Sequence, residues 1–159
     1  MSNQERRVFI SILNGVFILV AYFIFVLFFK KVDSGENILK FYAITMLVFI
    51  VAGIIIQILS LIFLSIFISV KNAIENKDYT NVSKDCEIIE DEMDKLIELK
   101  SLGIGYAFVG IGFVISLITL ILNFEPYIML NIIFISFLAG SIFEGVAKLY
   151  FYKRGIKNG

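Results

Sequence analysis

The chain has 159 residues, 59% of them hydrophobic, and its 14 Lys and Arg balance 14 Asp and Glu. That apolar share lies above the roughly 45–50% of soluble domains and leaves an integral membrane protein as the comfortable class, while zero net charge supplies no basic field for nucleic acid. One cysteine, Cys86, and no histidine exclude an intrachain disulfide, the usual zinc and haem ligand sets and Cys/His catalysis, so no metal or cofactor is expected.

Arg6-Arg7-Val8-Phe9-Ile10 loosely matches a twin-arginine signal, but the apolar run from Val8 to Phe29 is of spanning length and no small-residue cleavage site ends it. It reads as an uncleaved anchor and as the first of four spans. The second, Phe41 to Val70, measures about 45 Å as a helix and is too long for a simple crossing of a ~30 Å hydrocarbon core, so it must tilt or project. Its polar continuation through Lys77 keeps helix-compatible residues, and Asp78 to Asn81 reads as a turn.

Ser83 is a plausible N-cap for a returning helix, SKDCEIIEDEMDKLIELK, which runs without Gly or Pro into the third span. Cys86, Ile89, Met93, Leu96 and Ile97 recur at helical spacing, and acidic residues crowd the start while Lys95 and Lys100 lie at the end. Spans two and three are therefore expected to extend into a helical hairpin over 71–101, in which Ile74 meets Leu96 or Ile97. Its upper part needs another cover: its own turn through Tyr79 and Val82, the C-terminal tail through Tyr150, Tyr152 and Ile156, or a second protein. Self-packing with a solvated acidic face is the plain reading. The functional reading makes Cys86, Ile88, Ile89, Glu90, Asp91, Met93 and Asp94 a surface for a cytoplasmic or membrane partner, or for a second copy. Glu87 with Asp91, or Glu90 with Asp94, offer carboxylates on adjacent turns but lack the loop geometry of calcium sites.

The stretch from Glu90 to Ser101 resembles the acidic motif of small, functionally uncharacterised four-helix bacterial membrane proteins from low-GC organisms. Those motifs read Asp-Glu-Arg, then Ile, then Lys and a small residue; Met93 stands where the arginine is usual, so no salt bridge of that arginine carries over. The resemblance covers the hairpin and third span. Because such families often sit beside helix-turn-helix regulators, it implies a regulatory role.

Spans three and four, Leu102 to Leu122 and Tyr127 to Phe151, are separated by the turn Asn123-Phe124-Glu125-Pro126. Gly105, Gly110, Gly112 and Ser116, with Ser136, Gly140, Ser141 and Gly145, form small-xxx-small spacings that predict a tight hairpin and equally suit a homodimer. The fold expected is an all-α, four-helix membrane bundle in one domain. Summing alternate loops puts eleven basic residues on the side of the termini and only Lys30, Lys31 and Lys40 on the other. The positive-inside rule then makes both termini and the 71–101 segment cytoplasmic. With the bacterial resemblance, this gives a multi-pass protein of the cytoplasmic membrane, with Tyr42 and Tyr127 at the outer interface.

At 1.5 Å per residue, Glu144 lies about 5 Å inside the cytoplasmic boundary, Asn14 about 9 Å and Gln57 about 6 Å, which places all three in one polar layer. A carboxylate there suggests a cavity or proton path. The plainer reading pairs Glu144 with Lys148 one turn on and makes Asn14 and Gln57 interhelical glue, with Asn131 interfacial. No nucleophile, base and orienting residue converge, so a non-enzymatic interaction or regulatory module is expected. The alternative is a small oligomeric transporter or channel using the polar layer, against which stands the lack of an internal repeat or broken helix.

Overall fold

The computed structural model describes residues 3–29, 38–75 and 92–154, and these form four helices: α1 (Asn3–Phe29), α2 (Ile38–Glu75), α3 (Glu92–Ile121) and α4 (Pro126–Arg154). Each is long and apolar enough to cross a membrane. A backbone in lipid has no water to bond and must satisfy its own polar groups, which is why runs of this composition become helices. α2 carries the highest hydropathy of the four and the smallest buried share. In water that order would be inverted; here hydrocarbon is the solvent and the apolar side chains face it.

The helices run up and down, so that the N-termini of α1 and α3 and the C-termini of α2 and α4 share one end. Cross-contacts fix this: Gln4 Nε2 donates to Asp94 Oδ2 at 2.5 Å, Arg7 to Ser65 Oγ at 3.3 Å, and Lys148 Nζ lies 3.4 Å from Glu98 Oε1. Every described Lys and Arg except Lys40 sits toward this end, which we call the charged end. α2 has 38 residues, about 57 Å, so it exceeds a bilayer core by far, in keeping with the long second helix expected.

α4 is the hub. It packs along α3 most extensively and then along α1; α2 packs on α1 and more lightly on α4. α2 and α3, the two arms expected to lie face to face, do not pack on each other among the described residues, and the start of α3 leans on α4 and touches α1 through Gln4. The cause is the buried stripe of α3, Ile97, Ser101, Gly105, Gly112 and Ser116, which is turned wholly toward α4. Residues 76–91, and with them the hairpin's turn, lie outside the described residues, as do the side chains that would show Ile74 beside Leu96 or Ile97.

Small residues set the α3–α4 spacing. A Cβ on Gly112 would land on the Ser136 side chain, and one on Gly140 would stand 2.7 Å from Val109 Cγ2 and 2.9 Å from the Gly105 carbonyl oxygen. The tight hairpin of spans three and four is thus as expected, and Gly105, Gly112 and Gly140 are spent within the chain. Gly110 faces open space. Ser101 and Ser116, both fully buried, return their hydroxyls to carbonyls of their own helix, Ile97 and Glu98 for the first and Phe113 for the second. Phe108 and Phe143 stack beside this seam with centroids 3.8 Å apart.

The connecting turn is built by Asn123, whose φ of 58° is left-handed. Phe124 N bonds to Thr119 O and Asn123 N to Leu120 O, the pair of bonds that closes a helix in a Schellman motif. Pro126 then opens α4 at a first-turn position where its missing N–H costs nothing.

Candidate functional site

Three helices contribute the polar layer. Asn14 Nδ2 donates to Gln57 Oε1 at 3.2 Å, and Gln57 Nε2 donates to Ser11 Oγ at 3.0 Å, so α1 and α2 are joined by a bonded chain of neutral side chains. Their helices hold them there because Ser11 and Asn14 are three residues apart and share a face. In hydrocarbon an unpaired amide is costly, which makes such chains favourable glue.

Glu144 stands apart from that chain. Its Oε1 lies 2.8 Å from Lys148 Nζ, one turn on, and Lys148 also reaches Glu98 of α3. Glu144 and Lys148 are both about one-fifth to one-quarter exposed, 24% and 21%. Gly105 of α3 allows Glu144 this close to the seam: a Cβ on it would sit 3.1 Å from Glu144 Cβ. Gln57 and Glu144 do face one space, a cavity of about 270 Å³ between α1, α2 and α4 that Arg7 and Lys148 also line. The structure therefore brings Gln57 and Glu144 to a common cavity, bonds Asn14 to Gln57, and leaves Asn14 and Glu144 without mutual contact among the described residues.

A second polar contact was not foreseen. Tyr22, 1% exposed, donates its hydroxyl to Asn131 Oδ1 at 2.5 Å, and Asn131 Nδ2 donates to Tyr127 O at 2.7 Å. Asn131 links α1 to α4, because the Tyr22 ring, packed against Phe49 and Phe134, carries its hydroxyl across to it. The signal available was a tyrosine in the middle of a span, where a buried O–H requires a partner. Tyr42 and Tyr127 stack at the same end of the bundle, 5.2 Å apart and nearly parallel.

Of the expected partner surface, Cys86, Ile88, Ile89, Glu90 and Asp91 lie outside the described residues. Met93 and Asp94 lie within α3. Asp94 is held by Gln4, whereas Met93 is 49% exposed and begins a row with Leu96 and Leu99, the last 66% exposed. Ile97, one turn on from Met93, is buried and bounds the row on its packed side. Tyr150, one of the expected covers, is engaged on its own helix: Arg154 Nη1 donates to its hydroxyl at 2.6 Å and the guanidinium lies over its ring. No group of three or more potential metal ligands occurs among the described residues.

Compared with protein-family models, with curated proteins and with solved structures, the chain has no match.

Proposed function

We propose that the chain is a multi-pass protein of the bacterial cytoplasmic membrane, with both termini in the cytoplasm, that acts without enzymatic chemistry by presenting the acidic stretch before its third span to a protein partner. The observation that carries this reading is the exposed row Met93, Leu96 and Leu99 on the first turns of α3. Glu92, Asp94, Lys95, Glu98 and Lys100 interleave with it, and charges at that density keep the segment out of hydrocarbon. Lipid is then no cover for the row, and the side of α3 that packs internally is already taken by α4.

The stretch as proposed rides on α3 seated against α4 and α1, whatever path 76–91 takes between α2 and α3. A partner suited to it offers an apolar helix flanked by basic residues. The transporter reading has a cavity in its favour, but Glu144 is neutralised by Lys148 there. A photo-crosslinking side chain placed at Leu96 or Leu99 in native membranes should give a discrete protein adduct, and the same probe at Phe113 should give lipid adducts alone. Reversal of charge at Glu92 and Asp94 should remove the protein adduct. Lipid adducts alone at all three positions would overturn the reading.

A further inference from the structure

A cavity of about 390 Å³ opens between α1, α2 and α4 beyond the polar layer, lined mainly by apolar side chains such as Ile18, Phe49, Ile50 and Leu138. It shares Ser11, Gln57 and Ser141 with the 270 Å³ cavity at the charged end, so the two are arms of one groove. Its mouth is formed by half-exposed isoleucines of α2, Ile50, Ile54 and Ile58, and opens toward the surrounding hydrocarbon. An apolar space of this size open to lipid neither holds water nor stays empty.

We propose that this groove seats one anionic phospholipid, with its phosphate at Arg7 and an acyl chain along the apolar arm. Length supports it: eleven residues of α1 from Arg7 to Ile18 rise about 16 Å, close to the ~15 Å depth of one leaflet's hydrocarbon, so the lipid keeps its bilayer orientation. Charge selects the headgroup. Arg7, Lys148 and Glu144 line the polar arm. Lys148 is already held by that carboxylate and by Glu98 of α3, so the cation left to the phosphate is Arg7, which donates to the neutral hydroxyl of Ser65. A guanidinium is the side chain best shaped for phosphate oxygens. The site lies on α1, α2 and α4 and does not depend on the acidic stretch of α3 engaging a partner.

The chain contains no tryptophan, so Phe49→Trp places a single fluorophore in the apolar arm. The full-length protein is reconstituted in phosphatidylcholine vesicles containing a minor fraction of acyl-brominated phosphatidylglycerol or, separately, acyl-brominated phosphatidylcholine. The Arg7 guanidinium should favour the anionic lipid about fivefold in site occupancy, read as stronger quenching. Arg7→Gln should bring the two curves together, as should high salt, which screens the same attraction without a change of sequence. Should Phe49→Trp disturb the fold, Ile50→Trp reports from the mouth of the same arm. Equal quenching by the two lipids overturns the proposal, as does a preference that survives both Arg7→Gln and high salt.

Discussion

The two halves of the bundle are held by different means. Along α3 and α4 the backbones meet over glycine and serine, and the contact is close and extensive. Along α1 and α2 the helices stand further from one another, linked by Ser11, Gln57 and Asn14 and flanked by a groove. The difference teaches what association costs in lipid: hydrocarbon chains wet a leucine face as well as another helix does, so helices stay together only where small residues permit close approach or where polar groups find each other. Each half of this protein uses one of these two solutions.

The comparison breaks most visibly at Gly112. Gly112→Ala drives a methyl into Ser136 and should destabilise the folded protein by about 3 kcal/mol, the upper range of overpacking, read from unfolding in mild detergent. Ser136→Gly in the same chain should restore most of the loss, which identifies the clash as the cause. In the other half, Gln57→Leu removes the bonds to Asn14 and Ser11 and leaves Asn14 short of a partner. The cost should be about 1 kcal/mol in the same assay, since the membrane-unfolded chain also finds partners for such groups. The smallest effect belongs to Gly110, on the outward side of α3 with nothing near it. Gly110→Ala should lie within about 1 kcal/mol of the parent, on the stabilising side if helix propensity governs. A marked loss there, together with a change in oligomeric mass, would show that the outer face of α3 meets a second copy.

Much of the fold was legible because span length and hydropathy are set by the bilayer, and the sequence carries them without ambiguity. The α3–α4 seam was legible for a different reason: glycine and serine at helical spacing mark close approach directly. What composition does not carry is which faces of the other helices meet. In water the apolar stripe of a helix names its buried side, but α2 is apolar all round, so no stripe distinguishes its lipid face from its packed one. Hence which face of α2 or α3 meets a neighbour could not be read from either helix alone, and the hairpin expected over 71–101 rests on adjacency in the chain.

The polar layer divides in the same way. Asn14 and Gln57 were legible as glue because an amide at that depth needs a partner and each was the most polar choice on its span. The pairing of Glu144 with Lys148 follows from four-residue spacing on one helix. Tyr22 and Asn131 lie 109 positions apart on helices whose rotation the sequence does not state. The groove is less legible still, since it is a property of the space left between three helices.

The central place of α4 has a consequence for how the protein is made. Synthesis proceeds from the N-terminus at about 5–20 residues per second, so on the order of ten seconds separate the emergence of α1 from that of the helix on which it chiefly rests. During that interval α1 and α2 hold each other by their amide chain, while Tyr22 and the glycine-lined face of α3 wait for their neighbours. The fourth helix is thus the one that closes the packing of the other three. A chain arrested before residue 126 would enter the membrane as loosely associated helices, with its polar groups and its small-residue face open to capture by other membrane segments or by quality-control proteases.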